Sequence, residues 1–344
     1  MKTTEALDQV CCGIDLHASN VYMVILDSKG MRLYSKRHPN KLKEILGVLS
    51  GHPDLKHIAV ESTYNWYWLV DGLMEEGYQI HLANPAAMKD CAAPKFTGDK
   101  HDAQRLAYLL QRGDLPEGYI YPKEIRPVRD VLRRRLMLVR QRTQLILSLQ
   151  ALYARTTGKR VTGSKLKTWT HQDIERFVTS DADRFSAVEL LDSLMALNKR
   201  IKRMDDYVRT FAKLAPGYES LLSMPGIGLA LSMTILLETG PIERFDNAGQ
   251  YASYCRTVPS LKESNGKKKG QNNRKNGNKY LSWAWVEAAQ YAQQHHPKIQ
   301  RWFQRKMRRT CRNIALKSLA SKLSKASYHM RRDGVDFNEQ LLFG

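Results

Sequence analysis

The sequence lacks long apolar stretches and zinc-type cysteine spacing. No uninterrupted apolar run among its 344 residues approaches the roughly 20 residues that a membrane-spanning helix needs. The five cysteines, at positions 11, 12, 91, 255 and 311, are odd in number, which is typical of reduced core residues in a cytosolic protein. The opening "MKTTEALDQV" does not have the pattern of a signal peptide. We therefore expect a cytoplasmic protein with no membrane partner.

Acidic residues are scarce relative to basic ones. The chain has 55 Lys+Arg against 34 Asp+Glu, a formal net charge of +21. So basic a globular protein most often binds a polyanion, with nucleic acid the first candidate and an anionic membrane surface the weaker one. Because 42% of the residues are hydrophobic, the chain can build real cores, and its length suits two or three domains.

Residues 11–87 alternate between strand and helix patterns. "GIDLH", "VYMVILDS" and "RLYSKRH" predict three adjacent strands joined by short turns. They are followed by a helix ending at Gly51, the strand "HIAVEST", a helix ending at Gly77 and the strand "QIHLANP". This order, an antiparallel meander followed by βα crossovers, is the arrangement of the ribonuclease-H fold.

From residue 99 onward the chain is predicted to be mainly helical. Residues 126–160 contain ten basic residues and one acid beside an apolar stripe, which predicts an amphipathic helix with a cationic outer face. A solvated charged face is the alternative, but charge of nearly one sign favours contact with phosphates. Residues 190–211 carry an apolar heptad seam that predicts either a coiled coil or a core helix of a small bundle. The seam consists of Leu190, Leu194, Leu197, Ile201, Met204, Val208 and Phe211.

A third region follows the break at "LAPG". Pro225-Gly226-Ile227-Gly228 between two apolar segments has the form of a helix-hairpin-helix, whose turn can offer backbone N–H groups to a DNA phosphate. A tight helical hairpin in a core needs the same glycines. Residues 261–280 have seven Lys/Arg and one acid, and predict a basic loop. Residues 297–332 add twelve Lys/Arg and no acid in helices.

Four acids stand at the ends of predicted elements in the first region. Asp15 and Glu61 lie in strands, and Asp99 and Asp102, three apart, share one face at the start of a helix. Hard cations such as Mg²⁺ take oxygen ligands from separate elements, and two such ions can promote phosphodiester cleavage. Each acid alone has an ordinary alternative, such as a helix cap or a partner for lysine. Their occurrence together, in this fold order and in a basic protein, favours a metal site.

These residues resemble a known family, the RuvC-like DEDD transposases of bacterial insertion sequences, which are bridge-RNA-guided recombinases. The resemblance spans nearly the whole chain and rests on short motifs in family order. The motifs are Gly13-Ile14-Asp15, Glu61-Ser62-Thr63, Asp99-x-x-Asp102-Ala103, Pro225-Gly226-Ile227-Gly228, Arg244-Phe245, Glu263-Ser264 and Lys275-Asn276-Gly277-Asn278. The sequence departs from the usual pattern at Tyr64 and Asn265, where glycine is more common, and at Thr97-Gly98-Asp99, where the threonine is displaced.

The resemblance implies an α/β plus all-α architecture with three parts. These are a RuvC-like catalytic domain at 1–157 that includes the basic helix 126–157, a coiled-coil region at 158–213, and a mainly helical transposase domain at 214–344 that carries the serine loop. It also implies a nucleoid-associated bacterial protein acting on donor and target DNA with a structured guide RNA, as a dimer or tetramer.

The resemblance further assigns the site residues. Asp15, Glu61, Asp99 and Asp102 would bind Mg²⁺ (or Mn²⁺), and Ser264 would be the nucleophile. No histidine lies near Ser264 in the sequence, so the metal site would have to supply its activation. The nucleic-acid-binding candidates are Arg133, Arg134, Arg140, Gly226, Gly228, Lys267, Lys268, Lys269, Arg274 and Lys275.

Two other functions remain open on the sequence alone. A RuvC-like junction resolvase would need the four acids but no serine nucleophile and no large basic C-terminal domain. A non-catalytic nucleic-acid-binding protein would use the acids only structurally.

Overall fold

The computed structural model describes residues 9–88, 98–259, 262–270 and 275–343. The chain forms two compact units, one from Met1–Lys123 with Ser260–Asn276, and the other from Glu124–Pro259 with Gly277–Gly344. The segment with the predicted serine loop therefore groups with the N-terminal unit. The three-domain division remains a prediction.

The first unit is built on a five-stranded mixed sheet. Its strands are β1 (Cys11–Leu16), β2 (Asn20–Leu26), β3 (Arg32–Pro39), β4 (His57–Glu61) and β5 (Gln79–Ala83). The spatial order is β3-β2-β1-β4-β5. Strand β1 pairs antiparallel with β2 and parallel with β4, and β4 pairs parallel with β5. This is the ribonuclease-H arrangement, and the fold predicted from the sequence is confirmed.

Helices cover both faces of this sheet. They are α1 (Leu42–Leu49), α2 (Tyr67–Glu75), the single turn α3 (Pro85–Met88) and α4 (Asp99–Gln111). Side chains alternate along a strand, so Cys12, Ile14 and Leu16 of β1 enter the core shared with α1 and α2. The odd-numbered positions of β1 turn to the opposite face, where α4 packs. A central strand buried on both sides explains why its sequence is almost continuously apolar.

The second unit is helical. Its helices are α5 (Arg126–Thr157), α6 (Gly163–Leu166), α7 (His171–Glu175), α8 (Asp181–Ala212), α9 (Tyr218–Leu222), α10 (Leu229–Thr239), α11 (Ala248–Tyr254), α12 (Lys279–His295), α13 (Pro297–Arg309), α14 (Arg312–Asp333) and α15 (Glu339–Phe343). A short 3₁₀ turn spans Ile242–Arg244. No helix in the described parts of the chain is both long and apolar enough to cross a membrane.

The heptad seam of α8 packs inside the chain. Leu194, Leu197, Ile201 and Val208 are buried, and α8 packs along the 32-residue helix α5. The seam therefore belongs to a helix pair within the chain, which is the second of the two interpretations of the heptad pattern. Its buried residues do not form a free apolar stripe for a second copy of the protein. Phe211, the last seam residue, is exposed.

A buried carboxylate ties α5 to α10 and α12. Glu238 lies 3.0 Å from Arg129 Nη2 and 2.5 Å from Arg133 Nε, and it accepts a 2.7 Å hydrogen bond from Asn278 Nδ2. Burial acts to raise the pKa of Glu238, but the hydrogen bond from Arg133, the two guanidinium charges and Asn278 outweigh it and lower that pKa. Because Asn278 also caps α12 through its Oδ1, one carboxylate joins three helices.

The cysteine prediction is confirmed in part. Cys11, Cys12 and Cys255 are free and buried, whereas Cys311, at the start of α14, is free but exposed. Cys91 lies outside the described residues.

We predict that Gly13→Ala destabilises the first unit. A Cβ on Gly13 would lie 2.0 Å from the Ala103 carbonyl oxygen and 2.6 Å from the Ala107 nitrogen, both backbone atoms of α4. The helix must move away, so we expect a loss of about 1–3 kcal/mol of unfolding free energy, measured by denaturant titration. Gly47→Ala is the control, because its Cβ would meet nothing within 4 Å and alanine favours helix α1. An equal effect of both substitutions would contradict the packing argument.

Candidate metal and strand-cleavage site

Asp15 lies in the middle of the sheet, on the central strand β1. Its neighbours on either side are β2 and β4, and the residue is only 3% exposed. Being at an odd position, Asp15 shares the face of β1 that α4 covers. The carboxylate is therefore not a solvated group on an edge strand, and it needs partners inside the protein.

Glu61 is the last residue of β4 and a direct neighbour of Asp15. The parallel register pairs Ile14 with Val60, so Asp15 and Glu61 each come one residue later on adjacent strands. Their side chains hydrogen-bond to each other. Burial, this hydrogen bond and the charges of Asp15 and Asp102 raise the pKa of Glu61 to about 7. Burial, with Asp102 and Asp99 adding to it, also raises the pKa of Asp15.

The first turn of α4 supplies the other two acids. Asp99 and Asp102 both lie in that turn, and the charges of both act on the Asp15 carboxyl. Asp99 Oδ2 accepts a 2.5 Å hydrogen bond from Arg37 Nη2. Burial acts to raise the pKa of Asp99, but His17, a backbone N–H and Arg37 lower it. The structure thus brings all four predicted acids into electrostatic contact.

His17 is the member of the site that sequence reasoning missed. Its Nε2 lies 3.2 Å from Asp15 Oδ2 and 3.3 Å from Asp99 Oδ1. The spacing Asp15-x-His17 could have indicated it, because residues two apart in an extended chain point to the same face. One oxygen or nitrogen of each of these three residues lies within 4.8 Å of the others.

The donor set fits a divalent cation. The close group consists of Asp15, His17 and Asp99. Glu61 and Asp102 act on Asp15 through a hydrogen bond and through charge, and the pKa values of Asp15 and Glu61 are raised. Among the described residues, Arg37 and His17 are the basic groups that form ion pairs with these acids. Oxygen ligands from separate elements are what Mg²⁺ and Mn²⁺ require. A bound cation would replace repulsion with attraction and would favour the ionised form of every carboxyl group.

The predicted serine loop is a β-hairpin. Strand β6 (Lys262–Ser264) pairs antiparallel with β7 (Lys267–Gly270), and Ser264 is opposite Lys267. Asn265 and Gly266 form the turn with φ values of 52° and 66°. The dipeptide Asn-Gly between strands is a strong hairpin signal, so part of the predicted basic loop has regular strand structure. Lys269 is exposed; Arg274 lies outside the described residues.

Asn276, which follows the hairpin in the sequence, lies near the carboxyl end of β5. Asn84, just after that strand, donates a 3.3 Å hydrogen bond to Asn276 Oδ1. Glu61 pairs with Ala83 on the neighbouring strand. Asn84 is therefore the residue directly after the strand partner of Glu61.

The basic candidates on α5 have different surroundings. Arg134 and Arg140 are exposed. Arg133 is bound to Glu238, and its guanidinium lies 4.3 Å from the centre of the Tyr280 ring. The contact of the exposed pair with phosphates stays a prediction, whereas Arg133 has a structural role.

The two glycines of the turn before α10 have different surroundings: Gly226 packs against a helix, and Gly228 lies at the surface. Gly226 has a φ of 80°, and a Cβ there would lie 2.4 Å from the Ala288 carbonyl oxygen of α12. Gly228 is exposed at the N-terminus of α10, and a Cβ there would meet nothing within 4 Å. Close helix packing therefore explains Gly226, and a phosphate contact at Gly228 stays a prediction.

A carboxylate cluster of this kind on a ribonuclease-H-like sheet defines the class of metal-dependent enzymes that process nucleic acids. Comparison with known proteins agrees with this class. Residues 12–156 match the DEDD domain of the IS110 transposases, and residues 218–304 match the family described as "Transposase IS116/IS110/IS902 family". The chain belongs to this transposase family.

Relatives with similar sequences include two bacterial proteins. The "Probable family 20 transposase" of Pseudomonas aeruginosa is 24% identical over 278 residues, which cover 77% of this chain and 80% of that protein. The "Transposase for insertion sequence element IS1111A" of Coxiella burnetii is 23% identical over 322 residues, which cover 90% of this chain and 86% of that protein.

We predict that a divalent ion stabilises the protein more as the pH rises. The folded-state pKa of Glu61, about 7, is above its ordinary value of 4.5. Without metal, the stability contributed by this carboxyl is complete below pH 4.5 and is lost as the pH rises through about 7. A cation replaces the proton, so the rise in Tm with saturating Mn²⁺ should be larger at about pH 8 than at about pH 5.

The control for this measurement is Glu61→Gln, which removes the titrating group while keeping the shape. Its metal-free Tm should vary less with pH between about 5 and 8. A metal-induced shift in the wild type that does not change with pH would contradict the prediction.

Proposed function

We propose that this transposase cleaves and rejoins DNA strands with Asp15, Glu61, Asp99 and Asp102 as metal ligands and Ser264 as the nucleophile, on sites chosen by a structured guide RNA. The observation that carries the proposal is the meeting of the four carboxylates at β1, β4 and the first turn of α4. A divalent ion held there would supply Lewis-acid activation and charge neutralisation at phosphorus.

The chain's own residues have distinct tasks in this proposal. The four carboxylates would hold the divalent ion that a phosphate meets, and Arg37 fixes Asp99. The Oγ of Ser264 forms a bond to phosphorus as the bond to the departing nucleoside oxygen breaks. That oxygen leaves as a hydroxyl group, so the proton lost by the serine is balanced. The ester bond conserves the energy of the broken link, and rejoining needs no ATP.

The hairpin's membership in the first unit supports this assignment. The described residues of 260–276 group with the carboxylates rather than with the helical unit, and Asn84 holds Asn276 at the edge of the sheet where Glu61 lies. Assembly of the site from two subunits is therefore not a requirement of the proposal, and the dimer or tetramer remains open. Sequencing the RNA that copurifies with the protein identifies the guide.

We predict that Ser264→Ala binds DNA but forms no covalent adduct. Wild-type protein with end-labelled DNA, its copurifying RNA and Mn²⁺ should give a protein-linked band on a denaturing gel. The alanine variant should give none, because it lacks the attacking oxygen. Asp15→Ala should lose the band too, because the metal site is broken. Ser19→Ala, in the exposed β1–β2 turn of the same unit, should behave like the wild type.

Two results would contradict the assignment. A band that persists in Ser264→Ala would move the nucleophile to another residue, with Ser260 the nearest in the sequence. Metal-dependent nicking without any band in the wild type would favour a junction resolvase that uses water.

We predict that Arg134 and Arg140 contact phosphates, and that Arg133 instead stabilises the fold through Glu238. Replacing both exposed arginines with glutamine should reduce the slope of log K against log salt by about 0.9 for each lost contact on duplex DNA. Unfolding free energy should not change. Arg133→Gln is the contrast, because it deprives buried Glu238 of a partner and should cost about 2 kcal/mol of stability. An unchanged salt slope in the double variant would place the phosphate contacts elsewhere.

A further inference from the structure

The main chain of His17 is fixed by three hydrogen bonds. Its N–H donates to the Asn20 carbonyl oxygen at 2.9 Å. Its own carbonyl oxygen accepts from Asn40 Nδ2 and from Asn65 Nδ2, each at 3.0 Å. Segments after β3 and after β4 therefore hold one residue of the β1–β2 turn in place.

The amide of Asn65 is itself oriented. Thr63 Oγ1 donates a 2.9 Å hydrogen bond to Asn65 Oδ1, which turns the Nδ2 group toward His17. Thr63 N–H in turn donates to the Glu61 carbonyl oxygen at 2.9 Å. The loop that follows a metal-binding carboxylate thus positions His17 as well. This degree of support is typical of a residue whose side chain must keep one direction.

The imidazole points its Nε2 at two carboxylates without a proper hydrogen bond to either. The nitrogen is shielded from solvent, although the side chain as a whole is 42% exposed, and it has no partner of good hydrogen-bond geometry. Its distances to Asp15 Oδ2 and Asp99 Oδ1 are nearly equal, 3.2 and 3.3 Å. An octahedral ion with metal–ligand distances of about 2.1 Å separates neighbouring ligand atoms by about 3 Å. The two distances from His17 Nε2 therefore match those between neighbouring ligands of one cation, and ligand atoms of all three residues lie within 4.8 Å of one another.

We infer that His17 is a nitrogen ligand of the ion bound by Asp15 and Asp99, and that it makes the site prefer Mn²⁺ to Mg²⁺. The inference rests on the proposed metal site and extends it beyond the four acids. Mg²⁺ binds oxygen ligands and gives up its water reluctantly, whereas first-row transition ions accept imidazole nitrogen as well as carboxylate oxygen. An all-carboxylate site would lack this source of selectivity.

The competing role for His17 is that of a counter-ion. A protonated imidazole would neutralise Asp15 and Asp99 without metal, together with Arg37 on Asp99. The two roles predict different effects of removing the ring. Loss of a ligand weakens binding of the ion, whereas loss of a competing cation leaves the binding unchanged or strengthens it.

The test is metal binding by the full-length protein in the absence of DNA. Mn²⁺ binding is followed by the loss of the free-ion electron paramagnetic resonance signal at about pH 8, above the usual pKa of imidazole. Mg²⁺ affinity is obtained by competition against Mn²⁺. The variants are His17→Ala and His17→Asn, with Asp15→Asn as the reference for a broken site. His101→Ala is the matched control, because this histidine is exposed in the same unit. Circular dichroism without metal checks that each variant folds.

We expect both His17 variants to bind Mn²⁺ about tenfold or more weakly, to bind Mg²⁺ within about threefold of the wild type, and so to lose most of the selectivity. His101→Ala should match the wild type. Unchanged or tighter Mn²⁺ binding by the His17 variants overturns the inference, and if Asp15→Asn still loses both ions, the proposed metal site stands. If the wild type binds neither ion, the metal site and the inference fail together. If only one of the two His17 variants folds, the Mn²⁺ and Mg²⁺ affinities of that variant alone test the inference.

Discussion

Helix α4 approaches strand β1 so closely that the contact is backbone against backbone. Gly13 makes this possible, because any side chain there would overlap the carbonyl of Ala103. The rest of the site depends on this distance. Asp99 and Asp102 stand at the start of that helix, and Asp15 follows Gly13 by two residues on the strand face that the helix covers. A helix held further away would leave the acids of the helix and of the sheet out of reach of one another.

The two units treat buried carboxylates in opposite ways. In the helical unit, Glu238 has Arg129, Arg133 and Asn278 as internal partners, and its pKa is lowered. In the sheet unit, Asp15 and Glu61 have mainly each other and two more acids, and their pKa values are raised. The first arrangement is complete without any added ion. The second brings like charges together, which a bound cation would offset, and this is the pattern of a functional site rather than of a structural ion pair.

Sequence patterns revealed the sheet because its strands are short, apolar and separated by clear turns. The four candidate acids could be singled out because Asp15 and Glu61 interrupt otherwise buried strands. Other features depended on tertiary packing, which periodicity does not report. The heptad pattern that includes Leu194 and Leu197 fits a coiled coil between two copies of the protein and a helix pair within one chain equally well. Arg133 has the charge of a phosphate-binding residue, but Glu238, 105 residues away, binds it. His17 was missed because no motif links it to Asp99; only the fold does.

The turn of the hairpin has a chemical consequence for the ageing of the protein. Asn265 is exposed and is followed by Gly266, which has no side chain to hinder attack of its backbone nitrogen on the asparagine amide. Such a pair is a favourable sequence for succinimide formation and deamidation. The product, aspartate or isoaspartate, would add a negative charge between Ser264 and Lys267, and isoaspartate would lengthen the main chain within the turn. Stored preparations would then become mixtures in which the hairpin differs from molecule to molecule, and a mass increase of this segment would reveal it.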